Sequence, residues 1–377
     1  GAYYVQEASS MFLEEALKQS CDLSMPLRVL DLCAAPGGKS TLIQSLLSAD
    51  SLLVSNEVIK TRVNILSENI TKWGAVNVIV TSNDPRDFQR LPGYFDVIVV
   101  DAPCSGSGLF RKDPAAISEW STANVELCSQ RQERILADVF SSLKPGGILI
   151  YSTCSYSQAE DENICDFIMQ SLEATSLRYQ VNPEWGIVET KAVSGAFGYR
   201  FYPDKLKGEG FFIAGFKINE DEEKEYSQTS KNKNRLPLAT KDELEVIKKI
   251  IPGVERFVFL KWQDSILAFP ASLQQDLLLL QSNLYIKKAG VTVGTVIKGE
   301  LIPGHELAMS TLPVDVPSVD ADIQTALQYL RRQDANWYMD AKGWVLVRFK
   351  KIPLGWIKVL ANRTNNYYPK DWRILNK

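Results

Sequence analysis

Between residues 27 and 157 short apolar runs alternate with segments of helical period. Leu27–Leu32, Leu52–Ser55, Val76–Thr81, Phe95–Val100 and Ile148–Ser152 are rich in Val, Ile and Leu and too short for helices, so they predict strands. Helices are expected at about Lys39–Leu47, Lys60–Trp73, Asn124–Leu143 and Glu160–Leu172. Strands apolar along their whole length, separated by helices, predict an α/β fold with a parallel sheet covered on both faces. Arg200–Tyr202 and Gly210–Ile218, joined by a basic turn that contains glycine, predict an antiparallel hairpin at its edge.

The pattern then changes. Asn219–Arg235 is charged and without a period, as in a linker. Thr240–Ile250 predicts a helix, with Thr240 as N-cap and Glu243 completing a capping box. Short strands follow near Val258–Leu260 and Ile266–Phe269. From Tyr285 the strands are short and punctuated by Gly and Pro, with a helix at Asp320–Arg332, which predicts a small barrel-like module. The expected organisation is therefore a main α/β domain over 1–217, a polar linker over 218–235, a small α+β domain over 236–283 and a β-rich module over 284–377.

Charge sharpens this division. Residues 1–230 carry 20 Lys and Arg against 31 Asp and Glu, net −11, whereas residues 231–377 carry 22 against 14, net +8. The acidic part fits a domain that handles a small cofactor, and the basic part fits a module that binds a polyanion. No run approaches the roughly 18 apolar residues of a membrane span. There is no initiator methionine and no secretory signal before GAYYVQEASS, so a trimmed chain lacking an N-terminal piece is expected. None of the six cysteines forms a Cys-x-x-Cys pair and His305 is the single histidine, which argues against a metal site. Reduced thiols in a cytoplasmic protein are expected.

Two cysteines stand out by position. Cys104 and Cys154 lie in small-residue loops just past the apolar runs FDVIVVDAP and GGILIYST, where parallel sheets place their ligands. A thiol there can act as a nucleophile once deprotonated. In LRVLDLCAAPGGKS, Gly37 and Gly38 let the backbone turn tightly from strand to helix and approach a ligand. Glu57, Asp84 and Asp101 end or follow three successive strands, and together they describe a pocket for an adenosine.

LDLCAAPGGKS, DAPCSGSG and YSTCSYS, in this order, resemble the motifs of the RNA (cytosine-5)-methyltransferase family, and YYVQEASS and RFYPDKLKGEGFF extend the likeness across residues 1 to about 217. GWIKVLANRTNNYYPKDWRI resembles the PUA-like tail of the bacterial RsmF-type enzymes, which act on small-subunit ribosomal RNA. The resemblance implies a Rossmann-like sheet, S-adenosylmethionine as cofactor and RNA as partner, with no membrane or metal. It implies that Cys33, Ala34, Ala35, Pro36, Gly37, Gly38 and Lys39 line the methionine end of the cofactor. Glu57 would hold the ribose, Asp84 the adenine, and Asp101 would stand between cofactor and target base. Cys154 would be the nucleophile and Cys104 the thiol that releases the product. Cys104 remains the rival nucleophile, because DNA cytosine-5 methyltransferases use a Pro-Cys motif. Transfer RNA as substrate, a non-catalytic assembly factor and a nicotinamide dehydrogenase are the competing readings.

Two further groups are expected to meet RNA. Arg111 and Lys112 follow the Cys104 loop. Trp344, Trp356, Tyr367, Tyr368, Trp372, Lys358, Arg363 and Arg373 interleave aromatic and basic character. Single members of the second set are expected to be barrel core instead. Cys21, Cys128 and Cys165 are expected to be small buried hydrophobes, and Cys33 to contribute its backbone rather than its thiol.

Overall fold

The computed structural model describes residues 2–219, 236–337 and 340–375. The linker expected at 218–235 falls, from residue 220 onward, outside the described residues. The predicted apolar runs form strands β1 (Arg28–Asp31), β2 (Leu52–Asn56), β3 (Val78–Thr81), β4 (Phe95–Asp101) and β5 (Leu143–Thr153). They pair in parallel in the order β3-β2-β1-β4-β5. The order reverses between β1 and β4, and the crevice at such a switch point is where open α/β sheets bind ligands.

Because side chains alternate along a strand, each run feeds two cores. Leu30, Leu52, Ile79, Ile98 and Leu149 pack on one face. Val29, Leu53, Val78, Val97 and Ile150 pack on the other. The strands are joined by helices α2 (Gly38–Leu46), α3 (Lys60–Trp73) and α5 (Thr122–Phe140), with the short α4 (Ala115–Glu119) before the last; α1 (Leu13–Ser20) precedes the sheet and α6 (Glu162–Ser171) follows β5. Ser121 caps α5 by accepting from the Asn124 amide at 3.1 Å.

The expected hairpin is present as β8 (Phe197–Phe201) and β9 (Phe211–Ile218), antiparallel and attached through β9 to β5. It is not the outermost element. β6 (Ala174–Leu177) also pairs with β9, and β7 (Val188–Lys191) extends the edge beyond β8. Neither was legible as a strand, because each is four residues long and its polar residues are consecutive rather than alternating.

The capping box of Thr240 and Glu243 starts α7 (Lys241–Lys248) as expected. Beyond it lie β10 (Phe257–Trp262), β11 (Ser265–Pro270), α8 (Gln274–Asn283), β12 (Ile286–Ala289), β13 (Val291–Ile297), β14 (Glu300–Pro303) and α9 (His305–Met309). The boundary expected at 283/284 cuts through this region rather than separating two units. The sheet β10-β11-β13-β14 draws strands from both sides of it. β12 leaves that sheet and joins the first one, antiparallel to β3. The first sheet therefore has ten strands, with an edge strand drawn from some 200 residues downstream. The junction is apolar and charged at once. Leu273, Leu277, Leu280 and Ile286 enter the main core, and Asp276 takes both Arg28 (2.7 Å) and the Tyr94 hydroxyl (2.6 Å).

The last sheet consists of β15 (Ser318–Asp320), β16 (Gly343–Phe349), β17 (Ile352–Val359) and β18 (Thr364–Asn366), with α10 (Ile323–Leu330) between β15 and β16. Its Trp356 is 1 % exposed and packs with Phe259, Ile266 and Val291 of the preceding unit. Among the described residues no helix is long and apolar enough to cross a membrane, and no cluster of three His, Cys, Asp or Glu could hold a metal ion.

Candidate active site

At the end of β1 the chain turns through Leu32–Gly37 into α2. Gly37 has φ 114°, a conformation that L side chains rarely adopt, and a Cβ there would lie 3.2 Å from Leu66 Cδ1. Helix α3 fixes the loop from outside: Arg62 donates to the Ala35 carbonyl (2.6 Å) and Asn69 to that of Pro36 (2.8 Å). Asp31, fully buried beneath the loop, accepts from Ser40 Oγ at 2.6 Å, while its Oδ1 has no partner. Burial pushes the Asp31 carboxyl up to about 7, although the Ser40 hydroxyl pulls the other way.

That shift has a stability consequence. Below pH about 4 the carboxyl is protonated in the folded and unfolded chain alike and costs nothing. Between about 4 and 7 the unfolded chain ionises while the folded one does not, so stability is lost progressively, by at most about 4 kcal/mol. Asp31→Asn is expected to melt above the parent at pH 8, with the gap closing as pH falls to 4. A gap independent of pH in thermal melts would refute this.

The three acids stand along one sheet edge. Glu57, 2 % exposed, accepts from the Ile59 amide (2.9 Å) through Oε1. Its Oε2 lies 3.3 Å from Arg62 Nη1 yet receives no hydrogen bond. Asp84 caps the turn after β3 by accepting from the Arg86 amide at 3.2 Å. Asp101 accepts from Lys39 Nζ and Ser152 Oγ, each at 2.8 Å. Burial works against the Lys39 ammonium, but Asp101 beside it outweighs this and holds the lysine above its ordinary range.

The two thiols meet. Cys104 Sγ lies 2.9 Å from Cys154 Sγ. The loops that carry them are joined at Gly108, whose amide donates to the Cys154 carbonyl (2.9 Å) and whose own carbonyl accepts from the Gly210 amide (3.0 Å). A Cβ at Gly108 would come within 2.7 Å of those backbones, so only glycine permits the three segments to close. The hydrogen bond to Cys154, and then burial, push the Cys104 thiol well above its usual range. Burial raises the Cys33 thiol strongly as well. Cys128 and Cys165 are buried as expected, while Cys21 is half-buried.

A cavity of about 590 Å³ collects these groups. Cys33, Ala35, Glu57 and Asp84 line one part and Asp101, Cys104 and Cys154 another. Ala34, Pro36, Gly37 and Gly38 shape the loop without lining the cavity, and Lys39 reaches it through Asp101. Helix α5 supplies a further wall with Asn124, Arg131 and Arg134. Both arginines are exposed, and neither has an ion-pair partner within 4 Å among the described residues. Arg111, expected to face RNA, is more than half exposed; it donates to the Gly208 carbonyl (2.8 Å) and pairs with Glu209 (3.1 Å), tying the Cys104 loop to the hairpin.

Asp31, Gln132 and Glu160 went unnoticed in the sequence. Glu160 stands six residues after Cys154 and reads locally as an ordinary acidic residue before a helix. Its carboxylate accepts from the Ser105 amide (2.7 Å), Ser105 Oγ (2.5 Å), Ser155 Oγ (2.7 Å) and Gln132 Nε2 (3.3 Å).

Residues 22–217 match the family model described as 16S rRNA methyltransferase RsmB/F. The chain belongs to the RsmB/F methyltransferase family. Residues 316–374 match the model described as the methyltransferase RsmF PUA domain, which coincides with the last sheet. Ribosomal RNA small subunit methyltransferase F of Shewanella piezotolerans is 30% identical over 98% of this chain and 79% of its own length. The protein of that name from Aeromonas salmonicida is also 30% identical, with the same coverage. Among solved structures, NSun6 from Pyrococcus horikoshii with SFG, an S-adenosylmethionine analogue, superposes with TM-score 0.51 at 29% identity, covering 59% of this chain and 54% of that one. The RsmB/F chain is thus an S-adenosylmethionine-dependent RNA methyltransferase.

In the PUA domain the aromatic residues divide. Trp356 is core and donates through Nε1 to the Gly304 carbonyl (2.9 Å); Tyr368 is buried too. Trp372 packs edge-on against His305, with ring centroids 5.0 Å apart. Burial lowers the His305 imidazole to about 4. Lys358 pairs with Glu300 and lies over the Trp344 ring. Tyr367, Arg363 and Arg373 remain exposed.

Proposed function

We propose that this RsmB/F enzyme forms 5-methylcytidine in small-subunit (16S) ribosomal RNA through a covalent bond from Cys154 to C6 of the base. The observation that carries the reading is the pair of thiols 2.9 Å apart on the wall of the cavity that also holds Glu57, Asp84 and Asp101. The cofactor fits that cavity: the unsatisfied Glu57 Oε2 suits a ribose hydroxyl, and Asp84 suits the adenine amine. When bound, S-adenosylmethionine supplies an electrophilic methyl group on its sulfonium.

Cytosine C5 is a poor nucleophile until a thiolate adds to C6. Cys104 retains its proton and can donate it across the S–H···S contact to Cys154 Sγ. Attack forms the S–C6 bond and moves an electron pair through C5=C6 into the ring. The Lys39–Asp101 pair then hydrogen-bonds the N3 edge, where that charge collects. Once Cys154 is bonded to carbon, it no longer opposes charge on Cys104, and the largest cause of the raised Cys104 pKa is gone. Once C5 carries the methyl group, Cys104 gives its own proton to solvent, takes the C5 proton, and the S–C6 bond breaks by β-elimination, returning its electron pair to Cys154. Arg131 and Arg134, exposed on the same wall and without an ion-pair partner among the described residues, suit the phosphates of the incoming strand.

Glu57→Gln is expected to weaken S-adenosylmethionine binding by about 1.5–3 kcal/mol, the scale of a charge-assisted hydrogen bond. Unchanged calorimetric affinity would remove Glu57 from the pocket. Bisulfite sequencing of RNA from a deletion strain tests the function itself. A 16S cytidine should lose protection, and the intact gene should restore it while the Cys154→Ala gene does not. Loss confined to transfer RNA would overturn the substrate, and no loss anywhere would overturn the C5 chemistry.

A further inference from the structure

Glu160 is 0 % exposed, and among the described residues it has no ion-pair partner. Neutral donors alone hold it, and their places in the chain are selective. Ser105 directly follows Cys104, and Ser155 directly follows Cys154. Gln132, which also donates to Glu160, gives a second hydrogen bond to the carbonyl of Pro103, directly before Cys104 (3.0 Å). One carboxylate thus spans both thiol loops, and with Gln132 it grips the Cys104 loop on either side of the thiol. The backbone of Glu160 is fixed in turn, its carbonyl accepting from the buried Tyr151 hydroxyl at 2.6 Å.

We propose that Glu160 is a positioning residue that sets the two thiols relative to each other, and so couples bond formation at C6 to release of the product. The proposal rests on the covalent reading above. Four donors converge on two oxygens, and a carboxylate accepts from all four. Glutamine can keep the contacts only if both serine hydroxyls turn round to accept from its NH2 and give up their own donation. The tie through Ser155 holds the nucleophile, and the tie through Ser105 holds the release thiol. The chemistry of each loop therefore fails separately when its own tie is cut, and both fail when the shared carboxylate is changed. Glu160 lies behind the loops and touches neither sulfur nor substrate, so it acts only through them.

The test reads turnover on RNA beside the fraction of enzyme trapped as a covalent RNA adduct in a denaturing gel at steady state. Ser155→Ala should lower turnover roughly tenfold and lower the adduct fraction, because formation slows. Ser105→Ala, which keeps the amide bond to Glu160 and the Gln132 bond to Pro103, should lower turnover less and raise the adduct fraction, because release slows. Glu160→Gln should lower turnover further than either, with both single-turnover formation and adduct decay slowed. Melting temperature and the stoichiometry of S-adenosylmethionine binding are measured in parallel. Loss of turnover in Glu160→Gln only in proportion to lost binding sites would overturn the proposal, as would adduct fractions moving the same way in both serine variants. Cys104→Ala serves as control. An adduct there with unaltered rates in Glu160→Gln sinks this proposal alone, whereas no adduct in either Cys104→Ala or Cys154→Ala sinks the covalent reading and this proposal with it.

Discussion

Cys154→Ala is expected to abolish methyl transfer while leaving S-adenosylmethionine binding intact, and Cys104→Ala is expected to stall with RNA still attached. The asymmetry follows from the two roles. Losing the nucleophile prevents an S–C6 bond, whereas losing the group that takes the C5 proton leaves that bond in place after methylation. The size of the effect follows from the chemistry, since without addition at C6 there is no other route to a reactive C5. A slow band containing RNA should survive denaturation for Cys104→Ala and be absent for Cys154→Ala. The reverse pattern would exchange the two assignments. The contact at 2.9 Å makes this a sharp test, since both thiols reach the same substrate position.

The second large effect concerns where the chain can be shortened. Residues 316–377 carry 11 Lys and Arg against 5 Asp and Glu, so most of the positive surplus lies in the PUA domain. A chain ending at 315 keeps β12 and α8. It should still bind S-adenosylmethionine, with a raised RNA KM and a flatter salt dependence. A chain ending at 235 is a different matter. It loses Leu273, Leu277, Leu280, Leu284 and Ile286 from the main core, each buried and worth about 1.5–3 kcal/mol. Their sum is of order 10 kcal/mol, comparable with the whole stability of a typical domain. It also leaves Arg28 without Asp276 and exposes the edge of β3. That chain should aggregate or fail to melt cooperatively. If it binds the cofactor as well as the longer chain, the downstream unit is dispensable to the first sheet.

What could be read ahead of the structure was what local sequence determines. Val, Ile and Leu runs marked β1 to β5, Thr240 with Glu243 marked a helix start, and the loops after β4 and β5 marked the thiols. What escaped was decided by partners distant in the chain. β12 lies where short strands were expected, but nothing in Ile286–Ala289 shows that it pairs with β3 rather than with the strands that follow it. The tie of Arg111 to Glu209, 98 residues away, could not be read locally. Single aromatics of the C-terminal set were expected to be core, and Trp356 and Tyr368 are, but nothing local shows that Trp356 packs with the preceding unit. Glu160 is acidic in a stretch of polar residues, and nothing local marks it as the acceptor for two loops.

The ten-stranded sheet has a consequence for the order in which the protein is made. Its parallel centre is complete once β5 has been synthesised, but the strand that closes the β3 edge comes well over a hundred residues later. At roughly 5–20 residues per second, that edge stays open for many seconds on a translating ribosome. Throughout that interval the nascent chain presents unpaired amides and carbonyls together with the apolar surface that α8 will cover. A bare strand edge of this kind invites pairing with other chains. The interval from β5 to β12 is therefore when this enzyme is most exposed to misassembly and most in need of a chaperone. Slowing translation just upstream of residue 286 should lower its soluble yield more than the same delay placed after residue 289.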